Sequence, residues 1–203
     1  MGRKRYPVRI PRFAAGIRAQ ETRTGSGRSW WARRWTQILE GMGLGGRLGR
    51  GKNYALSGQI TSFEFEREQE DGRHACRVVA QVVGTRPDPY EVVVDFRAPQ
   101  GEARARIVSR LRAEPMLVAR LLVDDLPTEV ESFFTDEGFH LFPGGKLGPG
   151  RYDMTTRCSC PDYANPCKHS SAVLLILGEE IARRPSRLLE LRGIPMEDLC
   201  DED

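Results

Sequence analysis

A cluster of cysteine and histidine residues constrains this chain more than any other feature. Four side chains that bind metals lie within twelve residues, in the pattern C-x-C-x6-C-x-H. They are Cys158, Cys160, Cys167 and His169. Three thiolates and one imidazole form a set that closes a tetrahedral Zn²⁺ site, and two prolines stiffen the loop between the ligand pairs. The spacing therefore predicts a structural zinc site.

Two other uses of the thiols are open to the same residues. A disulfide between Cys158 and Cys160 would close a small strained ring, and no secretory signal is recognisable in the sequence. A reactive thiol site is the second alternative, because Lys168 would favour a thiolate. Structural zinc is the favoured interpretation, since four ligands stand together and an apolar helix follows them.

The segments beside the cluster predict a strand, a loop and a helix. Residues 152–157 alternate in the manner of a short strand that ends at the first ligand pair. Residues 170–183 carry an apolar stripe with helical spacing, and Pro185 ends it. The last two ligands would thus lie where the loop enters the helix.

This arrangement resembles the SWIM zinc finger, whose pattern is C-x-C-x(n)-C-x-H. Shorter stretches are similar to bacterial SWIM zinc finger proteins that are often encoded beside SWI2/SNF2-type helicases. These stretches are residues 51–60, 121–127, 141–143 and 189–193. The resemblance covers most of residues 30–195 and implies a SWI2/SNF2-type ATPase as partner.

The amino-terminal part of the chain is strongly basic. Residues 1–53 hold thirteen Lys or Arg and two Glu, a charge of +11, whereas the whole chain has a net charge of +3. Residues 1–28 are also interrupted by Pro, Gly and Ser, so we expect a flexible basic arm there. Such charge is typical of proteins that contact phosphates, and we expect nucleic acid, with DNA favoured, as a ligand.

Residues 29–41 predict a helix with an apolar face built on tryptophans. One interpretation is that Trp30, Trp31 and Trp35 pack against the chain or dock a partner protein. The other is that they stack on bases beside Arg33 and Arg34. The first interpretation is favoured, because tryptophans at helical spacing most often pack against protein.

Residues 46–53 nearly match the phosphate-binding pattern G-x-x-x-x-G-K-[ST]. Asn53 lacks the hydroxyl that holds Mg²⁺, and the segment is expected to join a helix to a strand, which is the reverse of a phosphate loop. We therefore predict a Gly-rich turn and no ATP site. The cationic side chains predicted to contact nucleic acid are Arg33, Arg34, Arg47, Arg50, Lys52 and Lys168.

The rest of the pattern predicts an α+β fold. An N-terminal antiparallel β-meander with flanking helices is followed by a helical segment and a small Cys3His finger. The expected elements are strands at 54–66, 74–84, 90–96 and 140–143, and helices at 102–113, 116–123, 127–136 and 185–193. The expected division is a basic arm (1–28), a tryptophan helix with the meander (29–100), a helical segment (101–150), the finger (151–195) and a disordered acidic tail (196–203).

The motifs argue against an enzyme. Four protein ligands leave no open position on zinc for water, and no carboxylate stands beside them as in H-E-x-x-H. The longest apolar run is too short for a membrane span, and reduced cysteines with zinc favour the cytoplasm. We expect a non-enzymatic zinc-binding accessory protein, without a small-molecule substrate, that binds nucleic acid, docks on a SWI2/SNF2-type ATPase, or does both. The alternative is a protein adaptor without nucleic-acid contact.

Overall fold

The computed structural model describes residues 16–20, 29–70, 73–143 and 153–200. Its sheet has four antiparallel strands in the order β1-β2-β3-β4. They are β1 (Ile60–Glu70), β2 (Arg73–Val82), β3 (Tyr90–Phe96) and β4 (Met154–Cys158). The first three form the predicted meander, and the strand that leads into the cysteine cluster adds to its edge. The predicted α+β fold class is confirmed.

Eight helices are formed by the described residues. They are α1 (Trp30–Gly41), α2 (Gly46–Leu56), α3 (Gly101–Arg112), α4 (Pro115–Leu122), α5 (Val130–Thr135), α6 (Lys168–Arg183), α7 (Arg187–Leu191) and α8 (Glu197–Cys200). Helix α6 contacts α1, α2 and the sheet, and most of its side chains are buried. It is therefore the central helix of the core. Among the described residues, no helix has both the length and the apolar character needed to span a membrane.

Residues 46–53, which were predicted to form a turn, begin helix α2 instead. The reason lies in tertiary packing. A Cβ added at Gly51 would lie 2.6 Å from the Cβ of Ser171, so this glycine lets α2 and α6 approach closely. The contact outweighs the low helix propensity of glycine. As a result the first strand begins at Ile60 and not at residue 54.

The acidic tail is also ordered where it was expected to be disordered. Residues 197–200 form α8, whose Leu199 is buried. The carboxylate of Asp198 pairs with Arg104, and its carbonyl accepts a hydrogen bond of 2.8 Å from Arg112 Nε. Charge alone suggested disorder, whereas these arginines and the buried leucine hold the segment. Residues 201–203 lie outside the described residues.

Two short segments also differ from the predicted structure. Residues 140–143 are irregular rather than a strand, and their Leu141 and Phe142 are buried. Within the predicted arm, the Ile17 N–H donates to the Ile60 carbonyl (2.7 Å), so residues 16–20 run beside the sheet. The remainder of the arm and the predicted connection at 144–150 lie outside the described residues.

The tryptophans of α1 pack against the chain. The indole N–H groups of Trp30, Trp31 and Trp35 donate to three backbone carbonyls. The acceptors are, in the same order, those of Leu126, Ala182 and Leu174. Trp30 and Trp31 are half-buried, and Trp35 is 2% exposed. Trp35 therefore lies in the core, not on a surface that a partner protein could reach, and its predicted partner-binding role is corrected.

A buried ion pair holds the start of β4. The guanidinium of Arg192 lies 2.8 Å from the Asp153 carboxylate, and both side chains are almost fully buried. Arg192 also donates to the carbonyls of Leu141 (3.1 Å) and Arg97 (2.7 Å). Each nitrogen of the guanidinium donates a hydrogen bond, so the pair ties three segments together while the buried charge is compensated.

Replacement of Gly178 by alanine should destabilise the fold. The new Cβ would lie 2.5 Å from Trp35 Cδ1, and overpacking of this kind costs about 1–3 kcal/mol. The matched control is Gly49→Ala in α2, where no atom lies within 4 Å and the change should be neutral or stabilising by up to about 1 kcal/mol. Urea unfolding of both zinc-loaded variants measures the difference, and equal stabilities would contradict the proposed close contact.

Removal of the buried carboxylate should cost much more than removal of an exposed one. Asp153→Ala leaves the buried guanidinium of Arg192 without its counter-charge, which should lower the free energy of unfolding by about 3–5 kcal/mol. Asp95→Ala removes an exposed pair with Arg157 in the same sheet and should cost about 1 kcal/mol or less. Thermal and urea unfolding compare the two variants.

Candidate metal centre

The four predicted ligand side chains converge at one point. Their ligand atoms all lie within 4.8 Å of one another, and His169 Nδ1 is 3.8 Å from the sulfurs of Cys158 and Cys167. In a tetrahedral site with Zn–S of about 2.3 Å and Zn–N of about 2.0 Å, sulfur and nitrogen are separated by about 3.5 Å. Donor types and spacing both fit Zn²⁺. The predicted cofactor is confirmed, and the chain binds Zn²⁺.

Strand β4 delivers the first ligand pair from the edge of the sheet. Cys158 lies opposite Val92 of β3 in the strand register. Beyond it the Ser159 N–H donates to the Glu91 carbonyl, and the Glu91 N–H donates to Ser159 Oγ, both at 3.0 Å. These reciprocal bonds fix the backbone between Cys158 and Cys160 onto β3.

Helix α6 delivers the second ligand pair. Cys167 is its N-cap, and its sulfur accepts a hydrogen bond from the Ser170 N–H (3.5 Å). A hydrogen bond from the Cys158 thiol, together with contacts from His169 and Ser170, holds the pKa of Cys167 well below its ordinary value. The helix dipole favours the same thiolate. The ligand thiols lose their protons as metal binds.

The loop between the two pairs is hydrogen-bonded back to β4. The Asn165 amide donates to the Thr156 carbonyl (2.7 Å) and accepts from the Thr156 hydroxyl. Asp162 Oδ1 accepts from the Ala164 N–H (3.1 Å), and the Asn165–Pro166 peptide bond is cis. The loop is therefore held by its own polar groups as well as by the ligands at its ends.

Two tyrosines clamp the ligand imidazole, which is 3% exposed. The ring of Tyr90 stacks on His169 with centroids 4.6 Å apart, and Tyr54 meets it edge-on at 5.1 Å. A Cβ added at Gly84 would lie 2.5 Å from the Tyr90 ring, so the stack requires glycine there. The clamp was not predicted from the sequence, because its members lie on elements far apart in the chain and form no motif with a recognisable spacing.

Cations lie against the two clamp tyrosines. Lys168 Nζ is 5.2 Å from the centre of the Tyr54 ring, and the Arg86 guanidinium is 5.7 Å from the centre of the Tyr90 ring. Arg86 was not among the predicted site residues, since a loop arginine beside Pro87 has no distinguishing motif. The structure thus places positive charge next to the metal centre.

The other predicted nucleic-acid residues divide between α1 and α2. Arg33 and Arg34 are exposed on α1, and Arg34 lines a groove of about 730 Å³ with Glu131 and the loop residues Asn165 and Pro166. On α2, Arg50 and Lys52 are exposed and Arg47 is half-buried.

The arginines of α3 are compensated by acids. Arg106 lies 2.9 Å from Glu137, and Arg110 lies 2.8 Å from Asp136. Arg104 pairs with Asp198 of α8. These pairs reduce the positive potential of this helix.

The remaining cysteines lie apart from the centre. Cys76 is buried in β2, and burial raises the pKa of its thiol to about 12, so it behaves as a small apolar side chain. Cys200 is exposed on α8. Both therefore serve as controls for the ligand thiols.

Substitution of a ligand should abolish stoichiometric metal. Cys167→Ser is expected to lose zinc and to unfold at lower temperature, because structural zinc contributes directly to folding free energy. Cys200→Ser should retain one zinc per chain. Elemental analysis and the sulfur-to-metal absorption of the cobalt-substituted protein check both, and equal metal content would contradict the site.

Loss of the aromatic clamp should weaken zinc binding without removing a ligand. Tyr90→Leu removes the stacked ring and should reduce zinc affinity by about 10-fold to 100-fold, the usual effect of groups that orient a ligand. Tyr90→Phe keeps the ring and should match the wild type. Competition with a chromophoric chelator measures the affinities, and equal values for the two variants would refute an orienting role.

Comparison with known proteins agrees with this geometry. Residues 151–178 match the family model of the SWIM zinc finger, which is a binding module and not a catalytic one. The chain is 35% identical over 193 residues to the uncharacterized protein Rv2102 of Mycobacterium tuberculosis, covering 95% of this chain and 65% of that relative's length. No solved structure matches. The segment that carries all four ligands is a SWIM zinc finger.

Proposed function

We propose that this protein is a zinc-binding accessory protein that binds nucleic acid, DNA above all, through a basic face beside its finger. The basic face consists of Arg47 and Arg50 of α2, Arg86 of the β2–β3 loop and Lys168 of the finger. The observation that carries the proposal is the grouping of these cations around one zinc ligand.

The grouping follows from ring contacts for Lys168 and Arg86, and from the helical period for Arg47 and Arg50. Lys168 lies over Tyr54, Arg86 lies over Tyr90, and both tyrosines touch His169. Arg47 and Arg50 precede Tyr54 by seven and four residues, so the 3.6-residue period puts them on its side of α2. Lys52 lies about 160° from Tyr54 around the same helix and is therefore separated from the others.

Among the described residues, no carboxylate compensates the cations of the basic face. Within residues 16–20, 29–70, 73–143 and 153–200, none of the four forms an ion pair, in contrast to the arginines of α3. Unpaired Lys and Arg neutralise phosphates and release condensed counterions. Binding of this kind is largely independent of sequence and depends steeply on salt.

Docking on a partner protein is the second proposed function, and the exposed apolar side chains around α4 favour it. Met116, Leu122 and Val123 are 75%, 58% and 74% exposed. Exposed apolar groups near one another suit a protein interface. The resemblance to helicase-associated SWIM proteins supports a SWI2/SNF2-type ATPase as that partner, and the adaptor alternative differs only in lacking contact with nucleic acid.

A matched pair of double variants tests the nucleic-acid proposal. Arg50→Gln with Lys168→Gln should weaken binding of a DNA duplex or single strand and reduce the slope of log affinity against log salt by about 2, one for each phosphate contact. Arg106→Gln with Arg110→Gln removes the same charge from α3 and should change affinity much less. Anisotropy titrations at low and moderate salt give both quantities.

Zinc content is measured in parallel, because Lys168 lies next to two ligands. Lys52→Gln provides a further control on the opposite side of α2. If the full zinc-loaded chain binds no DNA at low salt, or if the two double variants lose affinity equally, the basic face is not a nucleic-acid site and the adaptor function remains.

A further inference from the structure

We infer that the tip of the finger loop is a base-stacking site for single-stranded nucleic acid, with Tyr163 as the stacking side chain. The inference rests on the proposed function and names the class of nucleic acid that the basic face would take. Three observations carry it: the exposure of one ring, the fixed backbone that presents it, and the cations near the loop.

The ring of Tyr163 is 99% exposed. Every other aromatic side chain of the described residues is buried or half-buried. A ring that buries no area contributes nothing to the hydrophobic stabilisation of the fold. The fold therefore does not account for an aromatic residue at this position, whereas a ligand that covers the ring would.

The backbone on both sides of Tyr163 is held. Asp162 accepts the Ala164 N–H at 3.1 Å, and Asn165 is bonded to Thr156 by two hydrogen bonds. The ligands Cys160 and Cys167 bracket the whole loop. A ring presented by an ordered loop loses little further backbone entropy when it is covered, so more of the stacking energy appears as affinity.

Two cations lie near the loop. Lys168 follows Tyr163 by five residues and lies at most roughly 18 Å away along the chain. Arg34 lines a groove together with the loop residues Asn165 and Pro166. Phosphates flanking a base stacked on Tyr163 can therefore meet positive charge, while the Asp162 carboxylate is engaged with the loop backbone.

The surroundings favour a base over a protein partner. No other large hydrophobic side chain of the described finger residues is exposed, whereas a protein hot spot usually lies within an apolar patch. Stacking also requires an accessible base face, which a duplex interior does not offer. Aromatic rings with nearby cations bind single strands in this way, with little sequence preference.

The test compares two labelled probes on the full zinc-loaded chain, a dT oligonucleotide of about 15 nucleotides and a hairpin duplex. Tyr163→Ala should weaken binding of the dT probe by about 10-fold and leave duplex binding unchanged, since base stacking is lost and the charges remain. Tyr163→Phe keeps the ring and should match the wild type. Because the ring touches nothing in the fold, zinc content and thermal unfolding should be the same in all three proteins.

The outcomes separate this inference from the proposed function. If the wild type binds both probes and Tyr163→Ala binds dT as tightly, the stacking site is overturned while the basic face stands. If the wild type binds neither probe, both fail. If Tyr163→Ala leaves dT affinity intact but abolishes association with a copurifying protein, the loop tip is a protein contact and the inference is wrong.

Discussion

Coordination of one zinc ion is the constraint on which the rest of this structure depends. The metal joins the end of β4 to the first turn of α6, and these two elements meet different parts of the core. Strand β4 extends the sheet, and α6 packs between the sheet and the first two helices. Because the ligands come from both, the binding free energy of zinc contributes to the stability of the whole domain and not only of a loop.

The sequence predicts the parts of this fold that depend on local spacing. The ligand pattern, the meander and α6 could each be inferred from residues close together in the chain. Helix α2 could not, since the close approach of its Gly51 to Ser171 of α6 exists only in the folded chain. The clamp of Tyr54 and Tyr90 on His169 was missed for the same reason: it exists only after the chain has folded.

Prediction of the charged surface from the sequence meets the same limit. A count of basic residues cannot separate cations that are available from cations that are compensated. The arginines of α3 meet acids from α8 and from the turn that follows α5, partners that are remote in sequence. Lys168 and Arg86, by contrast, lie over aromatic rings that belong to the metal centre. The positive surface is thus defined by tertiary contacts, and composition indicates only that one exists.

The pairing of β4 with β3 also bears on how self-sufficient the finger is. Strand β4 of the finger shares its backbone hydrogen bonds with β3, a strand encoded some sixty residues earlier, and helix α6 buries a wide apolar surface under α1 and α2. As an isolated peptide, the finger would expose an unpaired strand and the apolar surface of α6 to water. The finger is therefore an integral part of a larger domain, and its transfer to another protein would also require the neighbouring strand β3.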